Sequence, residues 1–217
     1  MKYRHSNFED FFSSKEICIF MNLWLKNAMR LKTSEAMLDE ISKKIFDTQA
    51  HWRTLFFWNE AYEVLSRYLD YLTAMHYKFL MSSNVKSNLE YNINISYLES
   101  EKVINKFNLP ENFHLMKTNE KIVKLVQSRL FLFNQKEIYK HQSLKATWNT
   151  VDLIWKLIGH HDIDLKFYSK RLILSIVHEK IVRYYLNHSK FETEQQLIKT
   201  IDKIHYYIHT LRKKFIC

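Results

Sequence analysis

An all-α fold is predicted for this chain by its shortage of turn residues and by the spacing of its apolar residues. Only one glycine and one proline occur among 217 residues, whereas tight β-turns depend on glycine at positive φ. Several long segments repeat apolar residues at the three- and four-residue intervals of one helix face. The hydrophobic content of 47% and the aromatic content of 15% suffice for a folded core. The length suits one domain, or one domain with an appendage.

Four helices are predicted in the N-terminal part, and they lie at 14–31, at 33–47 and, as a pair, within 51–81. The pattern Ser13-x-x-Glu16 is a capping box ahead of the first helix. Thr33 or Ser34 can cap the second helix. The paired helices are rich in aromatic side chains, and no glycine or proline marks their junction.

Residues 82–120 are the least regular part of the sequence. Asn88–Ser96 has the composition of a short strand, but no partner strand is evident, so we interpret it as a short or frayed helix. Asn108–Asn112 contains the proline and is the clearest linker. We therefore divide the chain into an N-terminal helical region, 1–83, and a second helical domain, 84–217.

The second domain is predicted to hold four helices, at 118–140, at 143–159, at 165–187 and from Thr193 to the end of the chain. Gly159 is expected at the position just after its helix, where positive φ is commonest. Asp162 or Asp164 is expected to cap the next helix, and Thr193-x-x-Gln196 to form a capping box for the last one. The helix at 165–187 is expected to turn six residues inward, namely Leu165, Tyr168, Leu172, Val177, Ile181 and Tyr184.

Composition narrows the function only slightly. The net charge of +10 suits binding to nucleic acid or to an anionic membrane surface, but the abundance of lysine, asparagine and isoleucine also fits a drift in genome composition. Cys18 and Cys217 lie far apart, which predicts no disulfide framework and favours a reducing compartment. The sequence has no apolar run of about 18 residues that could span a membrane, and acidic Glu9 and Asp10 argue against a cleaved signal.

We predict no catalytic residues and no metal site. Adjacent His160 and His161 cannot both face one metal ion from a regular helix, and His205 and His209, although spaced as two ligands, have no third ligand of comparable placement. A single glycine excludes a glycine-rich phosphate-binding loop.

The stretch Trp148–Arg171 is the most distinctive part of the sequence. Helical geometry places Trp148, Asp152, Trp155 and Gly159 on one stripe. Two tryptophans with a carboxylate between them are typical of a protein-binding hot spot. The alternative is that both indoles belong to the core while Asp152 caps a neighbouring helix or pairs with a lysine, and the pattern alone favours this alternative.

The last helix carries one apolar seam, formed by Leu197, Ile201, Ile204, Ile208, Leu211 and Phe215. Three roles fit such a seam: a core helix, a dimer contact, or an amphipathic helix lying on a membrane. The basic run Arg212–Lys214 gives weak support to the membrane role.

A family resemblance is carried by two linked motifs, W-x-T-x-D-x-x-W-x-x-x-G from Trp148 to Gly159 and D-x-x-x-Y-x-K-R from Asp164 to Arg171. Together they resemble the signature of the ubiquinone-biosynthesis accessory family, whose members are lipid-binding proteins with a TetR-regulator-like fold. The resemblance covers about the last 90 residues. Departures from the family pattern occur at His160, Ile163 and Lys166 and in the shorter segment before Trp148.

This resemblance implies a homodimeric helical bundle of about eight to nine helices with an N-terminal region similar to a helix-turn-helix. That region lies either near 36–82 or ends at Phe11–Glu16. The implied function is a non-catalytic accessory role without a cofactor. The protein would bind an isoprenoid, a quinone precursor or a phospholipid and present a precursor to the demethoxyubiquinone hydroxylase. The implied location is the cytoplasmic surface of a bacterial inner membrane, or the matrix side of the mitochondrial one.

The resemblance also assigns residues. Asp152 and Trp155 are expected to bind the hydroxylase, with Trp148 and Tyr168 supporting that patch or the lipid pocket. The membrane-contacting or lipid-lining side of the last helix is expected to consist of Ile201, Ile204, Ile208 and Leu211.

A TetR-type DNA-binding regulator is the alternative function, and the basic charge is compatible with it. A working helix-turn-helix usually has a glycine or another small residue in its turn. Neither candidate region has one, so we predict that the protein does not bind nucleic acid.

Overall fold

Every regular element in the part of the chain that the structure describes is helical. The structure, a computed structural model, describes residues 8–28, 33–81, 113–131, 136–160 and 165–216. The α-helices there are α1 (Phe8–Ser13), α2 (Lys15–Ala28), α3 (Glu35–Phe46), α4 (Trp52–Leu55), α5 (Ala61–Met81), α6 (Thr118–Phe131), α7 (Lys136–Lys140), α8 (Leu144–Leu157), α9 (Leu165–Asn187) and α10 (Lys190–Ile216). The all-α prediction is confirmed, whereas the TetR-like topology stays a prediction.

Several helix ends lie where the sequence predicts them. The Ser34 hydroxyl caps α3 by accepting the Met37 N–H at 3.3 Å, and α9 occupies the predicted range 165–187. Gly159 follows α8 with φ 90°. The predicted pair within 51–81 is α4 and α5, and their junction is held by the N–H of Phe57, which donates to the Glu60 carboxylate at 3.3 Å. A side chain thus caps this junction in place of a glycine or proline.

Gly159→Ala is expected to lower the free energy of unfolding by about 1–2 kcal/mol, because an L-residue is strained at positive φ. A Cβ at this position would meet nothing within 4 Å, so the loss isolates the backbone effect. Urea denaturation measures it. Gly159→Asn is the matched variant and should lose less, since asparagine enters the left-handed region more readily. Equal stability of the glycine and alanine proteins would contradict the expectation.

The first predicted capping box, Ser13-x-x-Glu16, is wrong. The Ser13 hydroxyl donates to the Asp10 carbonyl at 2.7 Å within α1. Ser14 lies between α1 and α2, and its hydroxyl donates to the Glu16 carboxylate at 3.0 Å. Ser13 is the last residue of the short helix α1. The sequence analysis did not distinguish this helix from α2.

The predicted box at Thr193 is wrong as well, because α10 begins at Lys190 and its capping residue is Ser189, four residues before Thr193. The Ser189 hydroxyl accepts the Glu192 N–H at 3.3 Å, and the Glu192 carboxylate accepts the Ser189 N–H at 2.9 Å. Thr193 is buried inside the first turn and donates to the Ser189 carbonyl at 2.8 Å. The same Ser-x-x-Glu pattern is present in the sequence one turn upstream of the predicted site.

The helix predicted at 118–140 is divided into α6 and α7. The Arg129 carbonyl near the end of α6 accepts a hydrogen bond from the Tyr139 hydroxyl at 2.7 Å. One of the last carbonyls of α6 is thereby satisfied by a side chain, which lets the helix end there. Four expectations fall outside the described residues: the short helix at Asn88–Ser96, the linker at Asn108–Asn112, and the caps at Asp162 and Asp164.

Two clusters of buried side chains form the core, and α5 contributes to both. The first joins α1 to α5 and includes Phe12, Trp24, Leu38, Trp52 and Leu65. The second joins α6, α8, α9 and α10 and includes Val126, Ile154, Val177, Ile181 and Leu197. Tyr77, near the end of α5, packs against the second cluster. The proposed division at residue 83 stays a prediction.

The inward face predicted for α9 is partly wrong. Val177 and Ile181 are buried as predicted, but Tyr168 is 54% exposed and Leu172 is 56% exposed. The side chain of Leu165 lies outside the described part of the helix. Apolar residues occur on all sides of α9, so their period does not distinguish the buried side from the exposed one.

Candidate functional site

A cavity of about 510 Å³ lies between α6, α8, α9 and α10. Its walls are mostly aliphatic and consist of Ile122, Ile173, Leu174, Val177, Ile201 and Ile204, with Trp155 on the α8 side. The volume falls within the range of about 300–1,000 Å³ that is usual for ligand pockets. We refer to this space as the inner cavity. It can enclose an apolar ligand, or part of one.

Few polar residues line the inner cavity, and each of them is either cationic or neutral. They are Lys117, Thr118, Asn119, Lys170 and His205. Lys170 is half-buried, and its Nζ lies 3.4 Å from His160 Nδ1 and 5.6 Å from the centre of the Trp155 ring. The described lining residues include no carboxylate. The cavity therefore combines an apolar interior with a positive local charge.

Trp155 is 7% exposed and forms part of the cavity wall. Its ring meets the His160 ring edge-on, with 5.2 Å between centroids. The indole Nε1 is buried and has no hydrogen-bond partner. The burial of Trp155 agrees with the core alternative of the sequence analysis, while its partner-binding role stays a prediction.

Asp152 joins α8 to the start of α9. Arg171 donates from Nε to Asp152 Oδ1 at 2.6 Å, and Lys156 contacts Asp152 Oδ2 at 2.7 Å. Burial by itself would raise the pKa of Asp152, but hydrogen bonds from Lys156 and Arg171 lower it below its usual value. Arg171 is buried, and it also donates to the carbonyls of Phe167 and His160 at 3.4 Å. Asp152 thus pairs with a lysine, as the core alternative expected, and with an arginine that the sequence analysis did not assign.

Trp148 lies away from the inner cavity. It lines a second depression, here called the outer groove, together with Leu144, Leu172, Ile176, Lys180 and Arg183. Trp148 and Trp155 are seven positions apart, which corresponds to about 10 Å along α8, so the predicted stripe is divided between two sites. Tyr168 lines neither the inner cavity nor the outer groove, and its ring packs edge-on against Phe167 at 5.0 Å.

The described part of α10 is a wall of the core. Leu197 and Ile201 are buried, and Ile201 and Ile204 line the inner cavity. The side chains of Ile208 and Leu211, which the sequence analysis assigned to lipid or membrane contact, lie outside the described residues. Among the described helices, none has the length and apolar character needed to cross a membrane.

Metal chemistry has no support in the part of the chain that the structure describes. No three histidine, cysteine, aspartate or glutamate side chains come together there as ligands. His205 lines the inner cavity, whereas the side chain of His209 is outside the described residues.

Comparison with known families gives a match over three of the four helices that surround the inner cavity. Residues 140–207 match the family model described as COQ9. This segment is similar to the COQ9 family. The resemblance seen in the sequence is thereby confirmed, and it implies a role in ubiquinone biosynthesis. The COQ9 segment includes the cavity-lining residues of α8, α9 and α10. The chain has no significant match among curated proteins or solved structures.

Ile201 and Ile204 were predicted to line a lipid site or contact a membrane, and both line the inner cavity. Trp155 was predicted to bind the hydroxylase, and no binding role was predicted for the other lining residues. Lys170 and Arg171 were part of the recognised motif, yet no role was assigned to them. Ile122 lies in α6 and Lys117 directly precedes this helix, so both are outside the COQ9 segment. The available signal for Lys170 and Arg171 was their place in the motif D-x-x-x-Y-x-K-R.

Proposed function

We propose that this protein is a non-catalytic, lipid-binding accessory protein of ubiquinone biosynthesis. In this proposal it takes an isoprenoid quinone precursor or a phospholipid into the inner cavity. It then presents the precursor to a demethoxyubiquinone hydroxylase at a membrane surface. The observation that carries the proposal is the aliphatic cavity of about 510 Å³ formed largely by the COQ9 segment. COQ9-family proteins are generally accessory rather than catalytic.

The outer face of α8 and α9 is our candidate for protein contacts. Leu144 is 78% exposed and Ile176 is 62% exposed, and both line the outer groove beside Trp148. Tyr168 is exposed on the same helix as Ile176. Exposed apolar residues grouped in this way are typical of a protein-binding surface. We propose that the hydroxylase or a second copy of the chain contacts this face, and that Asp152 holds it in shape through Arg171.

Membrane contact is part of the same proposal and is assigned to the second half of α10. Tyr206 and Tyr207 are exposed there, and Lys203 Nζ lies 5.9 Å from the centre of the Tyr207 ring. Aromatic rings beside lysines suit the interface between water and an anionic bilayer.

Lipid binding is expected to depend on the inner cavity and to be lost when the cavity is filled. Ile173→Trp adds bulk to the cavity wall and should reduce lipid occupancy about tenfold, because overpacking costs about 1–3 kcal/mol. Native mass spectrometry and lipid extraction of the purified protein measure the occupancy.

Ile176→Trp is the matched control, since it makes the same change on the same helix but in the outer groove. It should keep the wild-type occupancy. If Ile176→Trp displaces the lipid and Ile173→Trp does not, the lipid lies in the outer groove instead. A wild-type protein that carries no lipid and binds duplex DNA in a salt-dependent manner would contradict the proposal and support the regulator alternative.

A further inference from the structure

We infer that the inner cavity selects amphiphiles with an anionic head group, and that Lys170 binds the head. This inference rests on the proposed lipid binding. It narrows the class of ligand, because the proposed function allows neutral isoprenoids as well as charged lipids. The chemistry that would be recognised is a carboxylate or phosphate attached to a single apolar chain.

The first step of the argument is the charge on the cavity wall. Lys117 and Lys170 are the lysines among the described lining residues, and the same residues include no aspartate or glutamate. Lys170 is half-buried, and its contacts are His160 Nδ1 at 3.4 Å and the face of the Trp155 ring. Neither contact supplies a negative charge. A partly desolvated ammonium group is costly without an anion, so this position favours an anionic ligand.

The second step excludes the nearby acid as a partner for Lys170. Asp152 is the carboxylate that joins α8 and α9, and both of its oxygens are already bound by cations, at 2.6 Å from Arg171 and at 2.7 Å from Lys156. Glu120 is another acid of the described residues near the cavity lining, and its carboxylate accepts the backbone N–H of Lys117 at 3.2 Å. Among the residues that the structure describes, Lys170 thus has no carboxylate partner, and its charge is available to a ligand.

The third step is the placement of the apolar chain. Leu174 and Val177 follow Lys170 along α9 at the four- and seven-residue positions, and both are buried cavity-wall residues. Ile201 and Ile204 face the same cavity from α10. A ligand whose head meets Lys170 can thus extend its chain along α9 between these aliphatic residues.

The test compares three single-chain probes on the delipidated full-length protein: palmitate, palmitoyl lysophosphatidate and neutral palmityl alcohol. Wild-type protein should bind both anions more tightly than the alcohol, by about tenfold or more, because hydrogen bonds to charged groups exceed neutral ones. Lys170→Met should remove this advantage and leave the affinity for the alcohol unchanged. Lys170→Arg should keep most of it. Isothermal titration calorimetry at low and high salt measures the affinities.

Lys180→Met is the matched control, because Lys180 is an exposed lysine on α9 that lines the outer groove. It should bind all three probes as the wild type does. Equal wild-type affinity for the alcohol and both anions overturns the inference while leaving lipid binding intact. The inference also fails if Lys170→Met weakens all three probes equally. Absence of binding by every probe would instead overturn the proposed function itself. Of the two anions, the tighter binder identifies the head group that the cavity prefers.

Discussion

Arg129→Met is expected to cost about 3–5 kcal/mol of unfolding free energy, which is the usual loss when one partner of a buried ion pair is removed. Arg129 is 2% exposed. Its guanidinium donates to Asp70 at 2.8 Å, to the Tyr139 hydroxyl at 2.8 Å and to the Ser66 carbonyl at 2.9 Å. Thr150 also donates to Asp70, at 2.8 Å. These bonds connect α5, α6, α7 and α8, so the variant removes the closest cation from a buried carboxylate and leaves it, among the described residues, only Arg67, at 4.0 Å.

Urea denaturation with a fixed slope measures this loss. Arg53→Met is the matched control: Arg53 also binds two carboxylates, those of Glu35 and Asp39, both at 2.8 Å, but it is exposed. Exposed ion pairs contribute little, so the control should stay close to the wild type. The double variant Arg129→Met/Asp70→Asn removes both buried charges and should recover part of the loss. If the losses of Arg129→Met and Asp70→Asn simply add in the double variant, the two charges contribute independently to stability. That result would contradict the expectation.

The buried network around Arg129 shows what the sequence could not predict. Helix positions follow from local signals: the shortage of glycine excluded sheets, and the positive φ of Gly159 was predictable because it follows a run of helix formers. The partner of Arg129 is not a local property, since Asp70 lies 59 residues away in the chain. An arginine in an amphipathic helix is ordinarily solvated, and the pattern around Arg129 contains nothing that distinguishes a buried one.

The candidate site likewise contains some residues that could be predicted from the sequence and others that could not. Ile201 and Ile204 could be predicted because apolar periodicity and the family resemblance mark them, whereas Trp155 was predicted as a contact for the hydroxylase. The inner cavity itself arises from the packing of four helices whose lining residues run from Lys117 to His205, and helix packing angles do not follow from a single sequence. Tyr168 and Leu172 were placed inward because α9 is apolar on every side. The contacts with α7, α8 and α10 determine which side is buried.

Acid is expected to destabilise the protein through His178, by about 2 kcal/mol between pH 7 and pH 5. His178 is fully buried in α9, and neither ring nitrogen has a hydrogen-bond partner among the described atoms. Burial, with a smaller contribution from the charge of Arg129, lowers the pKa of His178 to about 3. The unfolded chain has a histidine pKa near 6.5. Below that pH the unfolded state therefore binds a proton that the folded state excludes, and stability falls as pH decreases.

His178→Leu removes this proton uptake, so its stability should fall less than that of the wild type by about 2 kcal/mol over the same interval. Urea denaturation at pH 7, 6 and 5 gives the change of the unfolding free energy with pH for each protein. A packing change that alters stability equally at every pH does not affect this comparison. The pKa values of Asp152 and Glu192 are lowered, so these carboxylates lose their contributions to stability only as the pH approaches about 4. Between pH 7 and pH 5 the change in stability therefore comes from histidine. His141→Leu replaces an exposed histidine and should keep the wild-type slope. Equal slopes for His178→Leu and the wild type would mean that the buried imidazole takes up a proton in the folded state, which contradicts the expectation.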